Sequence, residues 1–149
     1  MNLDDEIKEL FFKMENPPVI IDDWENIAEI LSLSFEWHGS KIDWSKTKNH
    51  KSKKLEGDYC NWVDIIRSFI NMEVIFNEVN DSFDIYYIND SSLDFALYLK
   101  GEQLWDLIPC LIENVPQHHY FFDKIKKWCF VISSEGYLDF GVSIKNEVI

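Results

Sequence analysis

The chain has 149 residues, of which 46% are hydrophobic and 15% are aromatic, and its formal net charge is −13 at pH 7. This length and apolar content are typical of a folded unit with one core, so we predict a single domain over residues 1–149. The negative charge repels phosphate, which argues against binding to nucleic acid or to an anionic membrane surface. It favours a basic protein as the partner.

The cysteines and the N-terminal segment predict a cytoplasmic protein. Cys60, Cys110 and Cys129 are odd in number and form no CxxC pair, which suits reduced thiols. Residues 1–13 are acidic and amphipathic, whereas a signal peptide is basic and then continuously apolar. No run approaches the roughly 18 apolar residues that a membrane span needs, so we expect no membrane association.

Two amphipathic helices are predicted near the N-terminus. Hydrophobic residues recur at helical spacing from Ile7 to Met14 and stop before Pro17, which cannot continue a helix. Asp22 is followed three residues later by Glu25, a pattern similar to a capping box, which predicts that a second helix begins there.

A lysine-rich segment follows these helices. Residues 41–54 hold six lysines and one aspartate, a local net charge of +5. Because residues 39–57 show almost no hydrophobic period, we predict a long Lys-rich surface loop there. Lysines interleaved with Trp44 and His50 would suit contacts with RNA or phosphate, but the surrounding charge favours a solvated loop that offsets neighbouring acids.

Beyond this loop the sequence predicts one more helix and then strands. Asp58 precedes a run, Tyr59–Ile70, whose hydrophobic residues share one helical face. The hydrophobic period then changes, and Met72–Val79, Phe83–Ile88 and Leu93–Lys100 are short β-rich runs between Asn, Asp and Ser clusters. They predict a meander of antiparallel strands.

The C-terminal part predicts a buried helix and a hairpin. Glu102–Val115 is apolar on nearly every side, which predicts a buried helix that is bent or restarted at Pro109. Trp128–Ile132 and Tyr137–Ile144 flank a four-residue turn and predict a β-hairpin. We therefore predict an α+β fold, with N-terminal helices packed on an antiparallel sheet of about 4–5 strands that ends in this hairpin.

The best candidate for chemistry is a pair of histidines. His118 and His119, followed by Asp123, would suit a general base with a carboxylate to orient it, or two metal ligands. Adjacent residues of a strand point to opposite faces, however, and no Ser or Cys nucleophile has a recognisable motif around it. The favoured interpretation is a polar loop after Pro116. No zinc spacing or glycine-rich phosphate loop is present, so we predict no metal and no cofactor.

Acidic and aromatic residues interleave in the predicted strand region. Carboxylates on the rim of a sheet mimic a phosphate backbone toward a basic cleft, and aromatic side chains supply interface anchors. For any single residue, a solvated sheet face with core aromatics behind it is the alternative. The predicted partner-binding residues are Asp81, Asp84, Tyr86, Asp90 and Asp94.

Three runs near the C-terminus, His118–Phe122, Trp128–Ile132 and Glu135–Gly141, resemble small bacterial immunity proteins. Those proteins protect a cell from its own polymorphic or contact-dependent growth-inhibition toxin. The resemblance implies a cytoplasmic protein that binds one cognate toxin domain, often a nuclease, and occludes its active site without performing chemistry.

The favoured hypothesis is therefore an immunity protein, and not an enzyme, that neutralises a cognate toxin, a basic nuclease, through its acidic surface. Two alternatives stay open. One is a generic acidic interaction or adaptor module. The other is a small enzyme that uses His118 or His119 as a base.

Overall fold

The computed structural model describes residues 2–71, 84–90, 93–125 and 127–145. Within them, four helices and a seven-stranded antiparallel sheet confirm the predicted α+β class. The helices are α1 (Leu3–Phe12), α2 (Trp24–Ser34), α3 (Tyr59–Ile70) and α4 (Leu104–Asn114). The strands are β1 (Val19–Ile21), β2 (Trp37–His38), β3 (Lys41–Ile42), β4 (Thr47–Lys54), β5 (Ile85–Asn89), β6 (Ala96–Leu99), β7 (His119–Phe122), β8 (Trp128–Ile132) and β9 (Tyr137–Ser143).

The strands of the main sheet lie in the order β1-β6-β5-β7-β8-β9-β4, and β2 and β3 form a separate hairpin. The predicted number of about 4–5 strands was too low. The sequence did not predict β1, β4 or β7, and the predicted strand Met72–Val79 lies outside the described residues. The meander of β5 and β6 and the C-terminal hairpin of β8 and β9 are confirmed.

Both faces of the sheet are covered by hydrophobic cores. Because successive side chains of a strand point to opposite faces, Phe121 of β7 faces one core, whereas Tyr120 and Phe122 face the other. Helices α1, α3 and α4 cover the first face. Helix α2 and the β2–β3 hairpin cover the second, so the two N-terminal helices lie on opposite sides of the sheet.

Helix α2 begins one residue later than the sequence predicted. Its N-cap is Asp23, and the predicted box between Asp22 and Glu25 does not form. The Asp23 carboxylate accepts a hydrogen bond from the side chain of Asn26 and none from the backbone of the first turn. Helices α1 and α3 confirm the predictions, and Asp58 caps α3 by accepting from the backbone N–H groups of Cys60 and Asn61.

The predicted loop over residues 39–57 is wrong, since most of it is β-structure. It contains β3, a 3₁₀ turn and the eight-residue strand β4, which pairs with β9 at the edge of the sheet. The lysines are exposed as predicted, because every residue of β4 after Thr47 is exposed. An edge strand with solvent-facing side chains has no hydrophobic period to detect, and its lysines discourage pairing with another sheet.

Helix α4 passes through Pro109 without a break, where the sequence predicted a bend or a restart. A 3₁₀ turn, Gly101–Gln103, leads into it. Proline removes one backbone hydrogen bond from a helix, and burial of Leu107, Ile108 and Leu111 around that position offsets the loss.

Asp58 and Asp23 allow a matched test of capping. Asp58→Ala should lower the free energy of unfolding by about 1 kcal/mol, because two backbone N–H groups lose their acceptor. Asp23→Ala should cost less, since that carboxylate caps no backbone group. Urea denaturation of both variants measures the difference, and equal losses would contradict this account of the two helix starts.

Candidate functional site

Carboxylates from separate chain segments gather at one edge of the sheet. The pairing registers place the ends of β1, β5 and β8 there, together with the beginnings of β6, β7 and β9. Since neighbouring strands lie about 4.8 Å apart, the edge from β1 to β9 is about 24 Å long. We call the following exposed carboxylates the acidic edge: Asp22, Asp23, Asp90, Asp94 and Glu135.

The structure divides the predicted partner-binding residues. Asp90 and Asp94 belong to the acidic edge, whereas Asp84 precedes β5 at the opposite end of that strand. Six residues of extended chain separate Asp84 from Asp90 by about 20 Å. Asp84 also accepts a hydrogen bond from the Tyr98 hydroxyl. The prediction of a single patch is therefore corrected.

The other two predicted residues add little to such a patch. Tyr86 is half-buried between Phe122 and Tyr98, with ring centroids 5.7 and 5.6 Å away, and the Lys124 ammonium lies 5.6 Å from its ring. Asp81 lies outside the described residues.

A cleft of about 200 Å³ opens beside the acidic edge, between β3 and the β8–β9 turn. Its walls are aromatic and its polar groups carry both signs of charge. We call it the aromatic cleft. Its lining residues are Lys41, Ile42, Trp44, His118, Tyr120, Val131, Ser133, Glu135, Tyr137 and Asp139.

An ion pair closes one side of the aromatic cleft. Lys41 Nζ lies 2.8 Å from Glu135 Oε2, and each side chain is more than half exposed, at 56% and 54%. The hydrogen bond and charge of Lys41 hold the pKa of Glu135 below its usual value. Exposed pairs of this kind are weak and exchange readily with solvent or a ligand.

A second polar contact joins Asp139 to His50, whose ring stacks on Trp44. The His50 ring stacks on the indole with centroids 5.3 Å apart and an angle of 6°, and His50 Nε2 lies 2.9 Å from Asp139 Oδ1. Gly141 permits this arrangement, because a Cβ there would come within 2.7 Å of the Thr47 hydroxyl and 3.0 Å of the indole. The Asp139 side chain is only 19% exposed.

The two adjacent histidines have different environments, and the predicted polar loop is wrong for His119. His118 lines the aromatic cleft, with Nδ1 accepting from the backbone N–H of Ser134 at 3.0 Å. His119 is the first residue of β7 because its backbone pairs with Asn89 and Ile132.

The His119 side chain is buried on the other face of the sheet, with Nδ1 2.7 Å from the Tyr87 hydroxyl. Burial lowers its pKa to about 4, which favours the neutral ring. His118 and His119 therefore do not share one site. Asp123 follows the far end of β7, where its carboxylate accepts from the backbone of Ile125 at 2.8 Å, so it orients neither ring.

No group of three His, Cys, Asp or Glu side chains within residues 2–71, 84–90, 93–125 and 127–145 is placed to hold a metal ion. The three cysteines are free thiols, with Cys60 exposed, Cys110 half-buried and Cys129 buried. Burial raises the pKa of the Cys129 thiol far above its usual value, which leaves it protonated. The described helices include none that is long and apolar enough to cross a bilayer.

Sequence reasoning missed most of the aromatic cleft. Trp44 and His50 stood out only as ring-bearing residues among lysines, and the sequence carries no sign that they meet Asp139. Tyr137 and Glu135 appeared within a hairpin without an assigned role. The contacts that assemble the cleft join residues 89 and 94 positions apart, which is beyond any local pattern.

No protein-family model matches the chain, and no curated protein matches it in sequence.

The buried His119 makes stability depend on pH. The unfolded chain binds a proton below about pH 6.5, whereas folded His119 binds one only below about pH 4. Stability supplied by the neutral ring is complete above pH 6.5 and is lost as the pH falls to 4, by about 3 kcal/mol.

Urea denaturation at pH 7.5 and pH 4 of the wild type, His119→Asn and Tyr87→Phe tests this. His119→Asn should reduce the loss of stability between the two pH values by about 3 kcal/mol. Tyr87→Phe should retain the loss, because desolvation is the main cause of the low pKa and the histidine stays buried. A wild-type pH dependence that persists unchanged in His119→Asn would contradict the assignment.

Proposed function

We propose that this protein is an immunity-type inhibitor that binds a cognate bacterial toxin domain, a basic nuclease, and blocks its active site. The observation that carries the proposal is the acidic edge: separate turns of the sheet bring five exposed carboxylates to one side of the molecule, next to an aromatic cleft. Nucleases bind a polyanion through basic surfaces, and an acidic edge offers such a surface an equivalent charge pattern.

The distribution of charge supports a directed encounter. Residues 1–40 carry a net charge of −8, whereas residues 41–54 carry +5. Most of the lysines of residues 41–54 lie on β4, which is the outermost strand on the side of the sheet opposite β1. Six interstrand spacings separate β1 from β4, or about 29 Å. Such a polarised molecule turns its acidic side toward a basic partner as it approaches, which raises the association rate.

The acids near β1 are available to a partner. Three ion pairs among the described residues are Lys41–Glu135, His50–Asp139 and Lys145–Glu36. None of the three uses a carboxylate of α1 or of residues 22–29. The free thiols of Cys60 and Cys110 suit a cytoplasmic site of action.

Inhibition by binding requires no chemistry from this chain. The proposed role of the aromatic side chains of the cleft is to anchor the partner, since large rings beside polar groups dominate the energy of many interfaces. The acidic edge would set the rate of association, and the cleft would set the lifetime of the complex.

Affinity capture from a lysate of the native host, with a tagged protein and washes of rising salt, tests the proposal. We expect one basic toxin domain at stoichiometric yield, released at high salt. Co-expression should then protect cells from that domain. A retained basic protein without toxicity would support an adaptor module instead, and the absence of any stoichiometric partner would contradict both.

Charge variants test the acidic edge itself. The triple variant Asp22→Asn, Asp90→Asn, Asp94→Asn and the control Glu102→Gln, Asp106→Asn, Glu113→Gln both change the net charge from −13 to −10. Stopped-flow binding to the captured domain should show association slowed by about tenfold at low salt in the first variant only. Equal rates and equal salt slopes in the two variants would show that the edge does not steer binding.

A further inference from the structure

We infer that the aromatic cleft is a socket for one arginine side chain of the partner. The guanidinium would stack on the exposed ring of Tyr137 and donate hydrogen bonds to Asp139 and Glu135. This inference rests on the proposed function in one respect only, that the partner is a basic protein. It assigns the aromatic cleft as the part of the surface that holds this partner.

The size of the aromatic cleft selects a side chain over a free small molecule. Its volume is about 200 Å³. Pockets for drug-sized ligands and cofactors run from about 300 to 1,000 Å³, so the cleft is too small for them. The cleft has room for one long side chain that displaces its water.

The charges at the aromatic cleft select a cation. Glu135 and Asp139 are both in the lining, and an anion would meet both carboxylates. Two nitrogen donors of the chain itself already occupy these acceptors, Lys41 on Glu135 and His50 on Asp139. The cleft is thus complementary to nitrogen donors, and its own Lys41 pair is exposed enough to be exchanged for a donor from a partner.

The contact between Trp44 and His50 shows which nitrogen donor fits. There, a planar ring with N–H groups lies flat on an indole at 5.3 Å and 6°, while one nitrogen reaches the Asp139 carboxylate at 2.9 Å. A guanidinium has the same two properties, a flat face that stacks on aromatic rings and N–H groups in its plane that bind a carboxylate. A lysine ammonium has no flat face, so arginine is favoured.

The position of the aromatic cleft fits an anchor. Glu135 belongs to the acidic edge and also lines the cleft, so a basic surface that spans the edge from β1 to β9, about 24 Å, reaches the cleft at its β9 end. Tyr137 lines the cleft with 43% of its surface exposed. Its ring provides an open wall for a stacked group.

The first experiment needs no partner. N-acetylarginine methylamide and its citrulline counterpart, which has nearly the same shape and no charge, are titrated into the full chain while NMR follows the Trp44 indole and Tyr137 ring signals. We expect saturable shifts with arginine and about tenfold weaker binding of citrulline. Equal affinities for the two compounds, or no saturable shift at Trp44, would overturn the inference.

Variants locate the binding groups. Asp139→Asn and Tyr137→Ser should each weaken arginine binding by about fivefold or more, whereas Glu102→Gln should leave it unchanged. Glu102→Gln makes the same charge change as Asp139→Asn away from the cleft. Spectra of each variant without ligand show whether the fold is intact, and Asp139→Asn keeps the test valid if Tyr137→Ser unfolds.

The second experiment separates this inference from the proposed function. With the captured domain, Asp139→Asn and Tyr137→Ser should speed dissociation by about tenfold, whereas the acidic-edge variant should slow association. A basic toxin partner whose dissociation is unchanged by both cleft variants would refute the socket and leave the proposed function standing. Arginine binding at the cleft without any basic partner in the lysate would support the socket and refute the proposed function.

Discussion

The rest of the structure depends on two strands that are buried on both faces. All four residues of β7 and all five residues of β8 are buried. An antiparallel strand commonly keeps one face in water, so these two need a hydrophobic layer on each side of the sheet. Helices α1, α3 and α4 supply one layer, and α2 with the β2–β3 hairpin supplies the other. The rings of Phe121 and Phe130, 6.0 Å apart, join the two strands on the helix-rich side.

Because the central strands are buried on both faces, most charged residues of the main sheet lie in the connections between its strands and on the outer strand β4. Tight connections favour Asp, Asn, Ser and Gly for conformational reasons, and acidic residues occur among them after β1, between β5 and β6, and between β8 and β9. Antiparallel pairing then brings these connections to the same edge. The outer strand β4 carries lysines, which blunt an open sheet edge. A polarised surface is therefore a consequence of the topology acting on ordinary turn and edge residues.

The aromatic cleft depends on a meeting of two distant segments. Lys41 meets Glu135 across 94 residues, and His50 meets Asp139 across 89. Each of these contacts is modest by itself, because most of the side chains involved are partly exposed. Together with Trp44 and Tyr137 they make a concave surface whose nitrogen donors and acceptors are already paired within the chain. A partner with the right donor would replace a weak internal contact with a better one, which is how a small cleft becomes an anchor.

The sequence by itself determined the features that are local in origin: the helices α1 and α3, the start of α3 after Asp58, the hairpin of β8 and β9, the excess of acid and the α+β class. Helical periods, capping side chains and turn residues act within a few positions, so they can be read without knowing the fold. Only the tertiary structure decided the rest. Strand β4 has no hydrophobic period and exists because β9 offers its backbone a partner, and His119 is a strand residue because β7 pairs on both sides. The separation of Asp84 from Asp90 follows from the direction of strand β5. The cleft around Trp44 follows from contacts between residues about 90 positions apart, which no local pattern encodes.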